Sequence, residues 1–531
     1  MKVISEKNLI VGTGPTALAA AMAFRSLDVP FEVLDVGYDL NPNRERMVNA
    51  LAASDPEDWS KPRIEALFPP PATSVKGVEK RFAFGSDFAY RRPAQLSLTT
   101  EDCLVDVSHG LGGFGNVWGA AMLPYTAHDV ANWPIPLADL ERSYERVARF
   151  VPRSAEADAL QSIFPLYGDD LPALERSDQT RRLLKWLEGR RERLRDQGVH
   201  FGRARVAVDS SGMTTTTCRY CGRCLDGCVY GSIFSSRRHW ILLEREGIVI
   251  HRGRYALEFQ DVPEGVRLTT VDVESGATEH WLADRLFLAA GAIGTTRLLA
   301  RSLGLVNRPI RLLDSQYFFF PMLAYRGVQD MSDRFALAEV FIELLTTRIS
   351  DHFVHFQVYG LNDLFRRTLR AMVPAAVSQW GLSGSVERRF YLFQGFLHSA
   401  DSGQLELTIT DAAPTHDVAH VRGVTNPAAG RVARRAQRLL RRQLLRFGLV
   451  PPRSLTTVPP GRSFHAGGSF PMGSRDPVYT SDLLGRPAGL ERVHVLDATT
   501  FPSIPATTIT YTAMANADRL VHETHREGLL A

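Results

Sequence analysis

The amino-acid sequence predicts an α/β fold with an antiparallel (α+β) insert, and three observations carry this prediction. A buried strand near the N-terminus runs directly into a glycine-rich turn and an alanine-rich helix. Another apolar strand, which ends in small residues, precedes a helix within residues 284–303. Runs rich in aromatic and β-branched residues, typical of antiparallel strands, occur at 316–326, 334–346, 352–360 and 405–410.

Length and composition limit the classes of protein to which the chain can belong. The chain has 531 residues, of which 44% are hydrophobic, so it can bury a large core; at roughly 100 to 200 residues per domain, two to four domains are expected. The 62 basic and 58 acidic side chains give a net charge of only +4, so no nucleic-acid partner is expected. No apolar run approaches ~20 residues and no signal-peptide core is visible, so we expect a cytoplasmic protein.

The N-terminal turn carries a dinucleotide-binding fingerprint. The strand at 8–11 is followed by a G-x-G-x-x-G/A pattern whose residues are Gly12, Gly14, Pro15 and Ala17. The first glycine permits the tight turn, the second lets the backbone approach a pyrophosphate, and the alanine allows the helix to pack closely on the strand. A second strand ends in Asp35, where an acceptor for a ribose hydroxyl is expected. The pattern predicts a Rossmann-type domain without separating FAD from NAD.

A glycine-rich loop between residues 110 and 119 contains five glycines. So many conformationally permissive positions suggest a backbone pressed against a flat or anionic ligand, although an ordinary glycine-rich loop is the alternative. The apolar strand at 284–290 is expected to return beside the first strand and to close over the same ligand. The candidate cofactor-binding residues of these two segments are Gly112, Gly113, Asn116, Trp118, Ala290 and Gly291.

Two C-terminal segments complete the pattern, His465-Ala-Gly-Gly-Ser-Phe-Pro-Met-Gly473 and Val493-His-Val-Leu-Asp497-Ala498. Together with the fingerprint and the glycine-rich loop, they resemble the glucose-methanol-choline (GMC) oxidoreductase family, with the blocks in that family's order. The resemblance implies a Rossmann-type FAD-binding domain with an antiparallel-sheet substrate domain. It also implies that His465 faces the flavin and that Asp497 and Ala498 lie against FAD.

The resemblance implies oxidation of an alcohol, sugar-like or hydrophobic, by hydride transfer to flavin N5. A base is needed beside the C–H bond, and imidazole titrates near neutrality, so His465 is the candidate. Family members usually carry Asn or His at the second catalytic position. Counting back from Thr512 places Thr508 there, and a hydroxyl can donate a hydrogen bond but cannot act as a second base. A flavin-dependent lyase or isomerase, and a non-catalytic flavin protein that binds a partner, are the alternatives.

Four of the five cysteines form a run with the spacing C-x2-C-x2-C-x3-C, namely Cys218, Cys221, Cys224 and Cys228. This is the spacing of bacterial ferredoxins, so an iron-sulfur cluster, 4Fe-4S or 3Fe-4S, is expected; zinc, a disulfide or unliganded thiols are the alternatives. Because a single run leaves the fourth ligand open, the remote Cys103 is a second candidate. A cluster would carry electrons singly from FAD to a partner protein or quinone, which favours a dehydrogenase over an oxidase.

The blocks divide the chain into two predicted domains. The FAD-binding domain comprises 1–40, 101–130, 203–310 and 455–531, and the substrate or cap domain comprises 41–100, 131–202 and 311–454. Within the latter, 431–447 is expected to form a solvated amphipathic helix. The segment 365–396 combines arginines with apolar residues; a lid or membrane-surface role for it is an alternative, but membrane association is not expected.

Overall fold

The computed structural model describes residues 2–3, 8–68, 74–75, 78–79, 82–168, 171–328, 336–360, 388–450 and 455–530. Most of the arginine-rich segment 365–396 therefore lies outside the described residues. Within them, no helix combines the length and the apolar character needed to cross a membrane.

A parallel sheet, with strands drawn from both ends of the chain, forms the core of one half of the fold. Its strands lie in the order Val493–Val495, Arg285–Leu288, Asn8–Val11, Glu32–Leu34 and Ile250–His251. The first strand is buried along its length, and three of its four residues are apolar, because both faces of the sheet are covered. The prediction that the strand near residue 285 returns beside the first one is confirmed, since Phe287 is in register with Ile10.

Helices cover this sheet. The alanine-rich helix Pro15–Ser26 packs against the C-terminal helix Ile509–Arg526, and small side chains on both bring the two backbones close together. The other α-helices of the described residues are Pro42–Ala52, Lys61–Leu67, Leu137–Ala148, Asp178–Glu188, Arg191–Arg195, Ser236–Arg245, Ala292–Ser302 and Pro427–Leu444.

The large antiparallel sheet builds the opposite half. Its strands lie in the order Leu449–Val450, Tyr317–Ala324, Phe390–Leu397, Ser350–Tyr359, Val340–Thr346 and Val199–Arg203, and Thr456–Thr457 pairs with the second of these. Four strand-like runs of the sequence thus correspond to observed strands, three of them in this sheet. The fourth, Gln404–Ala413, lies in a mixed sheet with the order Ala466–Gly467, Ile310–Asp314, Gln404–Ala413, His416–Val424 and Leu96–Glu101.

Smaller sheets complete the fold. One has the order Lys2–Val3, Thr278–Ala283, Gly265–Asp272 and Arg254–Val262, and the other pairs Ser74–Val75 with Val78–Glu79.

The two faces of the large antiparallel sheet have different neighbours. Because side chains alternate along a strand, Phe318 and Phe320 point to one face, which we call the outer face, and Tyr317 and Phe319 to the inner face. Apolar side chains of the helices Asp178–Glu188 and Pro427–Leu444 cover the outer face. The amphipathic helix predicted at 431–447 is therefore confirmed, with an apolar side packed on the sheet and arginines toward solvent. The inner face lines a cavity.

Candidate active site

A cavity of about 650 Å³ lies between the carboxyl ends of the parallel strands and the inner face of the large sheet. This is where ligands bind in open α/β folds, and the volume is in the usual range for a ligand site. The cavity brings together most of the residues singled out in the sequence. They are Gly12, Gly14, Pro15, Asp35, Gly113, Trp118, Ala290, Gly291, His465, Asp497, Ala498 and Thr508.

Three predicted cofactor-binding residues do not line the cavity but shape its walls. Ala17 lies in the first helix and is fully buried. The backbone N–H of Gly112 donates to the Thr13 hydroxyl over 2.9 Å. The side chain of Asn116 donates to the carbonyls of Leu111 and Gly113, both over 2.8 Å, and so fixes the glycine-rich loop. Their contribution is to packing and loop shape.

The two fingerprint glycines differ in backbone conformation. Gly12 has φ +107°, and its N–H donates to the carbonyl of Leu34 over 2.8 Å, which places the turn against the second strand. Gly14 has φ −64° and is the N-cap of the helix that begins at Pro15, without a side-chain cap. The first N–H groups of that helix are therefore free to face an anion in the cavity.

Asp35 follows the second strand and contacts this turn through the Thr13 side chain. Burial raises its pKa to about 6, although the Thr13 hydroxyl donates to it and the N–H groups of Gly37 and Val36 also favour its charged form. A buried carboxyl at the end of the second strand is the expected acceptor for a ribose hydroxyl.

Asp497 links the C-terminal block to the helix Ala292–Ser302. Its carboxylate accepts from the Thr295 hydroxyl over 2.5 Å and from the N–H of Thr499 over 3.0 Å. Burial raises its pKa, and these hydrogen bonds oppose that shift. The carbonyl of Ala498 accepts from Gly468 over 2.8 Å, so the histidine-bearing turn packs directly on this block.

The turn that carries His465 is held by a buried carboxyl at the end of the strand Ile310–Asp314. Asp314 accepts from the N–H of Gly461 over 3.0 Å and from the Ser463 hydroxyl over 2.9 Å. The Ser463 oxygen accepts in turn from the N–H of His465 over 3.0 Å, and Ser315 donates to its carbonyl over 3.0 Å. The backbone of His465 is thus fixed on both sides.

The His465 ring projects into the cavity. It stacks on Phe396, with ring centroids 5.4 Å apart. Its Nδ1 is buried without a hydrogen-bond partner among the described residues. Burial, helped by the nearby His355, lowers its pKa to about 4, so the ring is neutral at physiological pH. A buried, unpartnered imidazole is costly to a fold and is expected where a ligand supplies the missing partner.

Thr508 lies at the N-cap of the helix Ile509–Arg526 and lines the same cavity. Its hydroxyl oxygen accepts from the N–H of Leu123 over 3.2 Å. The O–H group can therefore donate into the cavity, which is the role that the sequence predicts for it.

The inner face of the large sheet is the apolar wall of the cavity. Of the eight Phe and Tyr residues on the strands Tyr317–Ala324, Val340–Thr346 and Ser350–Tyr359, three line the cavity, namely Tyr317, Phe319 and Tyr359. The other five belong to the buried core, namely Phe318, Phe320, Phe341, Phe353 and Phe356. Strand alternation places Phe318, Phe320 and Phe356 on the outer face. Phe341, in register with Gln357, and Phe353 share the inner face but do not line the cavity.

Sequence reasoning missed several polar residues of the site. Gln357 and Gln394 line the cavity among the aromatic side chains, and Asp314 supports the histidine turn. The carbonyl of His109 accepts from the N–H of Tyr38 over 2.9 Å, and His109 also lines the cavity. Burial and the nearby Arg297 and Arg92 lower the pKa of His109 to about 3. The alternation of the predicted strand at 352–360 could have placed Gln357 beside Tyr359.

The four clustered cysteines line one small cavity of about 10 Å³, roughly the space of a single water. All are free thiols, so the alternative of a disulfide does not describe this structure. Burial, reinforced by neighbouring thiols, raises the pKa of Cys218 to about 12 and of Cys221 to about 11. The described residues contain no group of three or more His, Cys, Asp or Glu side chains that could hold a metal ion. The expected cluster and the zinc alternative therefore lack support from this geometry.

The structure does not bring Cys103 to this cavity. Its thiol donates to the carbonyl of Val421 over 3.3 Å, in a separate part of the core. The alternative in which Cys103 completes the ligand set, and so brings the cluster beside the flavin loop, is not supported by this placement.

Comparisons with known proteins agree with this architecture. No protein-family model matches the sequence, and no curated protein matches it. Among solved structures, the chain is similar to pyridoxine 4-oxidase from Mesorbium loti, with a TM-score of 0.60 and 16% sequence identity over 98% of this chain and 99% of that chain. The two chains share a fold. The likeness confirms the predicted α/β class with its antiparallel insert.

Proposed function

We propose that the protein is an FAD-dependent oxidoreductase of the GMC type that oxidises the CH–OH group of a small alcohol. One observation carries the proposal. A neutral, unpartnered imidazole, His465, projects into a cavity that has a dinucleotide-type turn at one end and an apolar wall at the other.

The residues at the first end suit FAD. The turn from Gly12 to Pro15 offers free helix N–H groups to a pyrophosphate, and Asp35 offers a carboxyl to a ribose. Ala290, Gly291 and the Asp497 block close the opposite side. The loop after Gly113 has no His or Cys, which supports noncovalent binding.

His465 would remove the hydroxyl proton of the alcohol. Bound FAD would accept the hydride from the same carbon, so the alcohol loses two electrons and two hydrogens to become a carbonyl. The low pKa of His465 keeps its ring able to accept a proton at neutral pH. Thr508 would donate a hydrogen bond to the substrate oxygen. We also propose that the chain divides into the FAD-binding domain and the cap domain predicted from the sequence.

The lining favours a hydrophobic alcohol over a sugar. Aromatic and aliphatic side chains from three strands form the wall beside His465, including Phe319, Leu392 and Phe396. A sugar needs a dense set of polar partners for its hydroxyls, because each unpaired hydroxyl buried on binding is penalised. An apolar, planar substrate suits this wall better.

The absorption spectrum of the purified protein tests the proposal. We expect a flavin spectrum that bleaches under anaerobic conditions when an aryl-substituted primary alcohol is added. A lyase or isomerase would leave the flavin oxidised while converting substrate, and a non-catalytic flavin protein would do neither. Failure of a broad panel of alcohols to bleach the flavin would contradict the proposal.

The route by which the electrons leave is a further part of the test. The sequence favours a dehydrogenase, whereas the similar structure is that of a protein named as an oxidase. Admitting air to the bleached protein distinguishes the two. Rapid reoxidation with formation of hydrogen peroxide identifies an oxidase, and slow reoxidation that is accelerated by a quinone identifies a dehydrogenase.

We also propose that the cysteine run holds an iron-sulfur cluster, on the ground of its spacing. A cluster binds each thiolate through a different iron, so the sulfurs need not meet around one point as they do for a single zinc ion. The small cavity lined by the four cysteines would have to widen to accommodate the cluster.

Iron and acid-labile sulfide analysis of anaerobically purified protein decides whether the run holds a cluster. We expect both elements in the wild-type protein and their loss in Cys221→Ser. Cys103→Ser is the matched control, because that thiol lies outside the cavity and hydrogen-bonds Val421, and it is expected to keep both. Absence of iron and sulfide from the wild-type protein would end this part of the proposal.

A further inference from the structure

Two side-chain amides face each other on the otherwise mainly apolar inner wall of the cavity. Gln357 and Gln394 are direct partners on neighbouring antiparallel strands, and both line the cavity. Their neighbours on the same face are Phe319, in register with Gln394, and the flanking Leu392 and Phe396. Cross-strand partners of this kind lie side by side, so the two amides form one polar patch.

A buried chain of hydrogen bonds orients the Gln357 amide. The Tyr359 hydroxyl donates to its oxygen over 2.6 Å, and its nitrogen lies 3.4 Å from His355 Nε2. His355 Nδ1 in turn lies 2.5 Å from a Glu343 oxygen. When the Nδ1–H of His355 donates to Glu343, Nε2 is left as an acceptor for the amide nitrogen. The Gln357 carbonyl is thereby occupied, and its NH2 group keeps one hydrogen for the cavity.

The Gln394 amide has no hydrogen-bond partner in the part of the chain that the structure describes. An amide among aromatic and aliphatic side chains loses water when a substrate enters, so it needs a partner on that substrate. Next to it lies the remaining N–H of Gln357. Together the two amides offer N–H donors at one place on an apolar wall. The Gln394 carbonyl there offers one acceptor.

We propose that Gln357 and Gln394 select the substrate by binding a hydrogen-bond acceptor on its ring, so that the site takes aromatic alcohols that carry a ring nitrogen or an oxygen substituent. The inference rests on the proposed function and names the substrate class of the same site. Ring stacking on the aromatic wall would orient the substrate, and the amide pair would fix its register relative to His465.

Paired substrates test the amide pair. The isomeric pyridinemethanols and benzyl alcohol have nearly the same shape and differ in the ring acceptor. We expect the best pyridinemethanol to exceed benzyl alcohol in the rate of anaerobic flavin reduction divided by the apparent Kd, by about tenfold or more. In Gln394→Leu and in Gln357→Leu this ratio should fall by about tenfold. The intrinsic reactivities of the two rings cancel in this comparison between variants.

Phe319→Leu is the control, because it changes the apolar contact beside Gln394 and should affect both substrates alike. Gln394→Met is a second variant in case Gln394→Leu does not retain FAD. A ratio unchanged in both amide variants overturns the inference while leaving alcohol oxidation intact. If no alcohol reduces the flavin, equilibrium binding of the same compounds, followed through the flavin spectrum, still tests the pair: equal weakening of all compounds by Gln394→Leu overturns it.

Discussion

Replacing His465 with glutamine is expected to slow flavin reduction by an alcohol by about 10²- to 10⁴-fold, the usual contribution of a positioned general base. Glutamine has a similar length and can stack on Phe396, but it cannot take up the hydroxyl proton. The ring lies in the cavity and makes no protein hydrogen bond among the described residues, so its loss removes no structural contact of that kind. Stopped-flow measurement of flavin reduction gives the rate directly.

His109→Gln is the matched control for this substitution. His109 is also buried, neutral and part of the cavity lining, but it lies in the glycine-rich loop. We expect its variant, once loaded with FAD, to reduce flavin within about tenfold of the wild-type rate. A His465→Gln variant as fast as this control would remove His465 from the proposed chemistry.

The pH profile of the wild-type enzyme provides a second readout for the same residue. Burial and the nearby His355 lower the pKa of His465 to about 4, so the base form predominates at any higher pH. We expect kcat/KM to be independent of this group down to about pH 5 and to fall below it as the ring becomes protonated. An acidic limb centred near pH 6.5, the usual value for histidine, would contradict the buried environment described for the ring.

Local signals in the sequence were sufficient to predict the main elements of the dinucleotide half. The strand Asn8–Val11, its glycine turn and the returning strand Arg285–Leu288 are encoded by short apolar runs next to conformationally permissive residues. Such short runs are enough to predict a strand. Because parallel strands joined by a helix follow right-handed connections, few arrangements of the strands in the sheet are then possible. The adjacency of these two strands could therefore be anticipated before any contact was known.

Roles that depend on distant contacts could not be read in the same way. Gly112 looks like a cofactor residue because it lies in a glycine-rich loop, yet a Cβ there would lie 2.4 Å from the backbone nitrogen of Arg237. No larger residue fits at Gly112, because the backbone there contacts a helix more than a hundred residues away in sequence. Gln357 and Gln394 likewise become a pair only through strand register, which no local pattern specifies when both faces of a sheet are apolar.

The cysteine run shows a different limit of the sequence. Its spacing predicts a cluster, and the fold does bring the four thiols to one cavity, but spacing does not specify how far apart the sulfurs lie. Burial raises the pKa of Cys218, Cys221 and Cys224, which favours their neutral thiol form, and the cavity is small. A cluster supplies the positive charge that would convert buried thiols to thiolates, so its presence is a question of chemistry rather than of chain geometry.

The second large effect is expected at the fingerprint turn, where Gly12→Ala should destabilise the apoprotein by about 2 kcal/mol or more. Gly12 has φ +107°, which an alanine rarely adopts, and a Cβ there would lie 2.4 Å from the carbonyl oxygen of Ala289. That oxygen belongs to the backbone beyond the neighbouring strand, so relief would require the two central strands of the parallel sheet to separate. Urea unfolding of the FAD-free protein measures the loss.

Gly14→Ala isolates the cofactor contribution of the same turn. Gly14 has an ordinary φ of −64°, and a Cβ there would meet no atom within 4 Å, so the free energy of unfolding of the apoprotein should change by less than about 0.5 kcal/mol. The new methyl group would nevertheless stand where the pyrophosphate is proposed to approach the backbone. Losing one hydrogen bond to a charged phosphate corresponds to an FAD affinity about 10- to 100-fold weaker, measurable by titrating apoprotein with FAD. The two glycines should therefore separate folding from cofactor binding, and wild-type FAD affinity in Gly14→Ala would show that the phosphates bind elsewhere in the cavity.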